Sequence, residues 1–170
     1  MTDLSTLSIN DAALLSEIQT ETFTQAYKDV HSADDINLYC ELNFSVAKAS
    51  TVLGSGLYLC KSIHDNGSVA GFYTISFQPC PIELPEKSAE LKQIYSLAHS
   101  YGTGVGKRLF DDVILELKER SCSWVWLAVS DINFRARSFY EKLGFDELGR
   151  GPAFNVGSDQ LSSTLLARKV

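Results

Sequence analysis

The sequence predicts an α/β fold in which a mixed, mostly antiparallel sheet of about seven strands is flanked by about four helices. Two extended runs, Leu57–His64 and Ser68–Phe77, are joined by Asp65-Asn66-Gly67, which is a strong hairpin signal. The nearly continuous apolar run Trp124–Val129 is typical of a central strand that is buried on both faces. The amphipathic segment Gly104–Arg120 indicates a helix that packs one broad apolar face on the sheet.

The N-terminal third of the chain predicts one strand and a run of helices. Leu4–Ile9 alternates apolar and polar residues and is interpreted as the first strand. Asn10 is predicted to cap a helix over about residues 11–26, and Ser32 to cap a second helix. A third helical piece covers Val46–Leu53.

The remaining elements follow from proline, glycine and apolar positions. They are a loop over Gln78–Ser88, a fourth strand over Ala89–Ala98, a short helix ending at Leu143, and final strands over Phe145–Gly149 and Leu161–Ala167. These elements together predict a single domain over residues 1–170.

Composition restricts the class of protein. With 45% hydrophobic and 21% charged residues, the chain has the composition of an ordinary globular protein, and its net charge of −6 argues against nucleic-acid binding. The dispersed cysteines and the lack of a histidine cluster argue against a metal site and favour reduced thiols in a cytoplasmic protein. No signal peptide is evident at the start, and no apolar run approaches the length of a membrane span.

A glycine loop, Gly102-Thr103-Gly104-Val105-Gly106, follows the fourth predicted strand and opens the amphipathic helix. This order places backbone N–H groups and the positive end of a helix dipole at one point, which predicts a phosphate site. A P-loop does not fit, because Gly106-Lys107 is followed by Arg108 and Tyr101 replaces its first glycine. A dinucleotide loop, with Asp131 as the ribose-binding acid, and a plain turn that binds nothing remain open on these residues alone.

The run Asn133–Phe145 reads NFRARSFYEKLGF and resembles the NxRAxxFYEKxGF signature of the GNAT acetyltransferases. The glycine loop is similar to the end of the acetyl-CoA loop of that family, and the two motifs are similarly spaced. Tyr101 departs from the pattern, since relatives usually carry Gln or Arg there. The resemblance covers about residues 89–148 and implies the GNAT fold, in which the fourth and fifth strands splay apart to admit acetyl-CoA.

The resemblance also implies site residues. Tyr140 is expected to act as general acid on the departing sulfur and Glu90 as general base, with His99 as a second candidate base. The backbone N–H of Leu97 is the first choice for stabilising the carbonyl oxygen. The residues expected to bind acetyl-CoA are Leu97, Tyr101, Gly102, Thr103, Gly104, Val105, Gly106, Lys107, Asn133 and Arg137.

The identity of the acceptor amine is suggested by a more diffuse similarity. Three N-terminal segments around Glu21, Tyr27 and Tyr39 and the C-terminal run Gly149–Lys169 resemble PaiA-type polyamine acetyltransferases. That similarity implies a small amine or polyamine acceptor, bound in part by Glu21, Tyr27, Asp29 and Tyr39. Together with further acids at Asp34, Asp35 and Glu41, Glu21 and Asp29 are predicted to line an acidic channel for a cationic substrate.

Other functions stay open at this stage. A protein or peptide N-terminal acetyltransferase fits the same motifs, as does an acetyl-CoA-binding module without turnover. No cysteine has a context that suggests an acyl-enzyme, so direct transfer in a ternary complex is expected. Relatives are often dimers, which leaves a homodimer open.

Overall fold

A computed structural model describes residues 2–170. Its strands are β1 (Thr2–Thr6), β2 (Tyr58–Asp65), β3 (Ser68–Ser76), β4 (Ser88–Ser96), β5 (Trp124–Ser130), β6 (Asp146–Arg150), β7 (Phe154–Val156), β8 (Asp159–Leu161) and β9 (Ser163–Lys169). Its α-helices are α1 (Ala12–Tyr27), α2 (Ala33–Asn43), α3 (Val46–Gly54), α4 (Val105–Glu119) and α5 (Phe134–Lys142).

The central sheet has seven strands in the order β1-β2-β3-β4-β5-β9-β6. Every neighbouring pair is antiparallel except β4 and β5, which are parallel. The predicted fold class is therefore confirmed. Among residues 2–170, no helix is long and apolar enough to cross a membrane.

Strands β4 and β5 separate soon after they meet. They pair only from Ser88 opposite Trp124 to Glu90 opposite Trp126, although both strands continue. Just beyond Glu90 the register of β4 against β3 shifts, so that Lys92 is an extra residue in β4. Such a bulge bends its strand. The bend coincides with the start of the predicted splay and opens a gap between the two strands.

Two apolar layers cover the two faces of the sheet. One layer joins α4 and α5 to the sheet through residues such as Leu109, Val113 and Tyr140. The other layer joins α1 and α3 to it through residues such as Leu15 and Ile18. Side chains alternate along a strand, so β4 sends Ala89 and Leu91 towards α4 and Glu90 towards α1.

Gly71 in β3 lets α4 begin close to the sheet. A Cβ atom there would lie 2.5 Å from the carbonyl oxygen of Tyr95 and 3.0 Å from Leu109. Since that space is already filled, only glycine fits, and the first turn of α4 stays near the end of β4.

Two local predictions need correction, and one hairpin was not predicted. The first strand ends at Thr6 rather than Ile9, and Asn10 is not the cap of α1. Instead, the Asp11 carboxylate accepts hydrogen bonds from the backbone N–H and hydroxyl of Ser8, at 2.7 and 2.9 Å, across a single 3-10 turn. The β7–β8 hairpin was not predicted, because its strands are too short to show a periodic pattern. The predicted cap at Ser32 is confirmed by a 3.1 Å bond from the N–H of Asp35.

A charged cluster ties α4 to the outer half of the sheet. The ammonium of Lys61 in β2 lies 2.9 Å from Asp112 and 2.6 Å from Glu116, and all three side chains are less than one-fifth exposed. The Tyr73 hydroxyl donates to the same Asp112 oxygen at 2.6 Å. Burial alone would raise the pKa of Glu116, but Lys61 and Arg120 hold it below the ordinary value. Lys61 therefore balances two largely buried carboxylates.

Lys61→Ala is expected to lower the free energy of unfolding by about 2–3 kcal/mol at pH 7, since it leaves both carboxylates without their main partner. The lowered pKa of Glu116 means that this stabilisation is present above the ordinary carboxyl pKa and is lost as pH falls through the folded-state value. Urea denaturation at pH 7 and in acid measures both effects. Lys48→Ala, on exposed α3, is the control, and equal stability of the two variants at pH 7 would contradict the prediction.

Candidate active site

A cleft of about 770 Å³ lies where β4 and β5 separate. The start of α4 and the adjoining side of α5 form one part of its wall, while α1, α2 and β7 form the opposite part. The open edges of β4 and β5 lie between them. The splay thus produces one continuous space with two chemically different ends.

The glycine loop occupies one end of the cleft. Gly102 and Gly104 have φ angles of 78° and 85°, in the left-handed region that glycine tolerates. The first helical bond of α4 runs from the N–H of Arg108 to the carbonyl of Gly104 at 3.1 Å. The N–H groups of Val105, Gly106 and Lys107 precede that bond, so helix geometry leaves them without an intrahelical acceptor. These amides form a site suited to a phosphate group.

Two neighbours of the loop differ in role. The Thr103 hydroxyl donates to the carbonyl of Ser100 at 2.7 Å and holds the turn, and Thr103 does not line the cleft. Lys107 lines the cleft, and its ammonium lies 2.6 Å from the exposed carboxylate of Asp111. The guanidinium carbon of Arg135 in α5 lies 3.4 Å from the centre of the Tyr101 ring, and both residues line the cleft.

The edge of β4 supplies backbone donors in the gap. The N–H of Leu97 donates to the carbonyl of Ala70 in the segment of β3 at 2.9 Å. Because backbone N–H groups alternate in direction along a strand, those of Tyr95 and Gln93 also point towards β3. The N–H groups of Ile94 and Ser96 therefore point away from β3, towards the space that β5 has left. Both residues line the cleft.

Tyr140 reaches the middle of the cleft from α5. Its side chain is only 8% exposed and packs edge-on against Phe139 and Phe145, with ring centres 5.6 and 5.5 Å away. Burial raises the pKa of the Tyr140 phenol, and the neighbouring Tyr27 raises it further. The phenol is therefore fully protonated at neutral pH and can act as a proton donor.

Glu90 belongs to the last residue pair before β4 and β5 separate, where it lines the cleft and is half-buried. Burial raises the pKa of this carboxyl, although the charge of Lys92 works in the other direction. A carboxylate whose pKa is raised is a better proton acceptor than an exposed one. Glu90 is also the single carboxylate among the described residues that line the cleft.

The comparisons with known proteins agree with this geometry. The sequence profile of the Acetyltransferase (GNAT) family matches residues 13–145. The chain belongs to the GNAT acetyltransferase family. An uncharacterised N-acetyltransferase of Mycobacterium tuberculosis is 24% identical over 162 residues, which cover 95% of this acetyltransferase and 99% of the relative. A ribosomal protein bS18-alanine N-acetyltransferase of Haemophilus influenzae is 36% identical over 91 residues, 54% of this chain and 57% of that protein.

Solved structures show the same fold. The PaiA N-acetyltransferase of Thermoplasma acidophilum, in complex with coenzyme A, superposes with a TM-score of 0.83 at 20% identity, covering 100% of this chain and 99% of that one. The ribosomal-protein-S18-alanine N-acetyltransferase of Escherichia coli gives 0.70 at 22% identity, covering 100% and 94%. The predicted family and its fold are therefore confirmed.

Three of the residues expected to bind acetyl-CoA, Leu97, Thr103 and Arg137, do not line the cleft of the acetyltransferase. Leu97 is buried and its N–H donates to the carbonyl of Ala70, so the backbone N–H groups of β4 that stay open are those of Ile94 and Ser96. Arg137 does not line the cleft, because its guanidinium bonds to Asp131 at 3.3 Å and to the Thr164 hydroxyl at 3.2 Å.

Asn133 sits at the cleft and also caps α5. Its side-chain oxygen accepts a bond of 3.1 Å from the N–H of Ala136, and its side chain also lies against the Tyr27 phenol, which lines the same cleft. His99, the second candidate base, is exposed and lies outside the cleft lining. Glu90 is therefore the candidate base that the geometry favours.

The acids of the predicted substrate channel do not line the cleft. Tyr27 and Tyr39 line the cleft as expected, but Glu21 and Asp29 are exposed and lie outside it. The inner face of α1 is occupied by buried residues such as Ile18 and Phe23, so Glu21 is turned outward. The other acids of the predicted channel, Asp34, Asp35 and Glu41, likewise do not line the cleft.

Several cleft residues were not predicted as site residues. Phe23 lies on α1, Phe44 follows α2, and Phe154 lies on the unpredicted hairpin. Nothing local marks these aromatic residues as functional, because aromatic side chains are usual in cores. Their convergence becomes visible only when α1, α2 and β7 are packed together.

Proposed function

We propose that this acetyltransferase transfers the acetyl group of acetyl-CoA to the primary amine of a small molecule, by direct attack in a ternary complex. The observation that carries the proposal is the convergence of three groups in one cleft. These are the open N–H groups of Ile94 and Ser96, the buried phenol of Tyr140, and the carboxylate of Glu90. They match the needs of acyl transfer to an amine: an oxyanion site, a general acid and a general base.

The glycine-loop end of the cleft fits the phosphates of acetyl-CoA. The N–H groups of Val105, Gly106 and Lys107 are open, and a Cβ added at Gly102 or Gly104 would meet no atom within 4 Å, so this approach is unobstructed. Lys107 and Arg135 add positive charge at the same end. When bound, acetyl-CoA supplies a thioester carbonyl that an amine can attack.

Glu90 accepts the proton that the amine must lose. An alkylammonium ion has a pKa of about 10.4, so its deprotonation at pH 7 costs about 4–5 kcal/mol. A half-buried carboxylate with a raised pKa lowers that cost by taking the proton directly or through water. The neutral amine then forms the new C–N bond, and the second proton that its nitrogen loses as the amide forms restores the Tyr140 phenol after Tyr140 has protonated the sulfur.

The backbone and Tyr140 complete the transfer. The N–H of Ile94 or Ser96 donates to the carbonyl oxygen as it gains negative charge. Tyr140 donates its proton to the sulfur as the C–S bond breaks; its phenol, whose pKa burial raises, is protonated at neutral pH until that step. The described cleft lining contains no cysteine, which favours direct transfer over an acyl-enzyme.

A second candidate function is acetylation of a peptide N-terminus. It is favoured by the similarity to the bS18-alanine N-acetyltransferase of Haemophilus influenzae over 91 residues. An α-amino group has a lower pKa than an alkylamine, so it would need less help from Glu90. The two functions therefore differ in how strongly turnover depends on that carboxylate.

The proposal is tested by measuring the release of the CoA thiol in the presence of small monoamines, spermidine and alanine-initiated peptides. Turnover with a small amine, together with detection of its N-acetyl product, is the expected result. Turnover with the peptides alone would overturn the proposed small-molecule function and support peptide N-terminal acetylation. Tight acetyl-CoA binding without turnover of any amine would indicate a binding module and overturn both functions.

A cytoplasmic location stays a prediction. The four cysteines of the chain are free thiols, which is the usual state of cysteines in that compartment.

A further inference from the structure

The end of the cleft opposite the glycine loop is lined by aromatic rings. We call Phe23, Tyr27, Tyr39, Phe44 and Phe154 the aromatic wall; all five line the cleft. Phe23 stacks on Tyr39 with ring centres 4.3 Å apart and planes 5° from parallel, and lies 4.6 Å from Tyr27. Phe44 meets both Phe23 and Tyr39 edge-on at 5.7 Å. The rings thus support one another and form a preorganised apolar surface.

The hairpin β7–β8 holds this wall in place. Val156 is fully buried among the aromatic residues of α1 and α2. A Cβ at Gly157 would lie 2.0 Å from a carboxylate oxygen of Asp35, so the turn of the hairpin presses directly on α2. His31, after α1, contacts Asp159 at 3.1 Å from the other side. The wall is therefore formed by several elements that fix each other.

The charges at the acceptor end of the cleft favour an acceptor with one ammonium group. Glu90 is the single carboxylate among the described lining residues, and Lys92 beside it is positive, whereas Lys107 and Arg135 belong to the phosphate end. A polyamine would bring further ammonium groups to the acceptor end, where no second lining carboxylate is available as a counter-ion. Removing each of them from water without a partner is strongly unfavourable.

We propose that the acceptor is an aromatic monoamine: a primary amine on a short chain whose ring packs on the aromatic wall while its single ammonium group faces Glu90. The inference rests on the proposed function, since it assumes that Glu90 and the splayed strands form the acceptor end of the active site. Flat rings pack on aromatic surfaces in stacked or edge-on arrangements, as the wall residues do among themselves. The ring anchors the amine, and the carboxylate orients and deprotonates it.

The test compares kcat/KM for 2-phenylethylamine, propylamine and spermidine at saturating acetyl-CoA. Burial of the ring is expected to favour 2-phenylethylamine over propylamine by about 10- to 100-fold. Spermidine is expected to be the poorest acceptor. Equal values for the two monoamines, or a higher value for spermidine, would overturn the inference while leaving the proposed function intact. Loss of turnover with every amine would instead count against the proposed function itself.

Wall variants localise the effect. Tyr39→Ala is expected to lower kcat/KM for 2-phenylethylamine about 10-fold more than kcat/KM for propylamine, and to leave the acetyl-CoA Kd nearly unchanged. Phe44→Ala is a second variant in case the first fails to fold. Leu42→Ala is the matched control, because this α2 side chain is 62% exposed and lies outside the cleft. Equal losses for both monoamines would contradict an aromatic site.

A second inference concerns the phosphate end and rests on a separate contact. The Arg135 guanidinium carbon lies 3.4 Å from the centre of the Tyr101 ring, beside the open amides of the loop. The geometry points to Tyr101 as a platform that holds the Arg135 cation over the pyrophosphate site. Tyr101 stands where the family usually has Gln or Arg, so the positive charge reaches the loop from α5 instead.

Binding measurements test this arrangement without relying on turnover. Arg135→Gln is expected to raise the Kd for CoA about 10-fold, since it removes a charged contact to phosphate, and to leave the Kd for pantetheine, which lacks the pyrophosphate, unchanged. Tyr101→Leu should weaken CoA binding by a smaller factor. Adding it to Arg135→Gln should cost nothing more, because the ring then has no cation to hold.

The control for charge alone is Lys142→Gln, in the last turn of the same helix and outside the cleft. An unchanged CoA Kd in Arg135→Gln would overturn the inference. Fully additive effects of the Tyr101 and Arg135 substitutions would do the same, because independent contacts add whereas coupled contacts do not.

Discussion

Replacing Tyr140 by phenylalanine is expected to lower kcat by about 10²- to 10⁴-fold, since it removes the proton donor for the departing thiolate. The change deletes one oxygen and keeps the ring that packs against Phe139 and Phe145. The Kd for acetyl-CoA should therefore barely change. Steady-state kinetics and a binding titration on the same preparation separate the two quantities.

The matched control for this prediction is Tyr58→Phe in β2, which lies outside the cleft and should keep full activity. A drop in kcat together with an equal loss of acetyl-CoA affinity would indicate that Tyr140 binds rather than donates a proton. An unchanged kcat would remove the phenol from the mechanism.

Replacing Glu90 by glutamine is expected to lower kcat/KM for an alkylamine by about 10²- to 10³-fold at pH 7, within the usual range for a general base. In the unmodified chain kcat/KM should fall on acidification as the carboxylate becomes protonated. Because burial raises the pKa of Glu90, this fall should occur above the ordinary carboxyl range. The glutamine variant should lack that limb of the pH profile. An identical acid limb in both proteins would exclude Glu90 as the base.

The same substitution should have the opposite effect on stability. A carboxyl whose pKa is raised in the folded state binds protons more tightly there, so its ionisation destabilises the fold as pH rises through the two pKa values. Glu90→Gln is therefore expected to melt at a higher temperature than the unmodified chain at pH 7, with the difference vanishing in acid. Glu119→Gln, on the exposed side of α4, should show no such change. A lower melting temperature for Glu90→Gln at pH 7 would contradict the raised pKa.

The elements that sequence predicts well are those with strong local patterns. The apolar repeat of α4, the Asn66-Gly67 hairpin and the glycine loop each lie within one short segment, so their structure follows from neighbouring residues. The splay also follows from the family resemblance. Its physical basis, the extra residue Lys92 in β4, becomes clear only from the register against β3.

The expected site residues that lie outside the cleft are those whose positions depend on long-range packing. Leu97 was the first choice for the backbone N–H that stabilises the carbonyl oxygen. Which N–H groups of β4 face the gap depends on its register against β3, and the bond from Leu97 to Ala70 shows that the Leu97 N–H faces away from the gap. Arg137 was expected to bind acetyl-CoA, whereas its guanidinium bonds to Asp131 and to Thr164, the latter 27 residues further along the chain. The acids of the predicted channel lie outside the cleft because the rotation of each helix about its axis is set by its apolar face.

Initial rates measured over a matrix of acetyl-CoA and amine concentrations test the central claim most directly. If the amine attacks the thioester within one ternary complex in the splayed cleft, double-reciprocal plots at different fixed amine concentrations will intersect. Parallel lines would show that acetyl leaves CoA before the amine binds, as in a covalent acyl-enzyme, and would contradict the account.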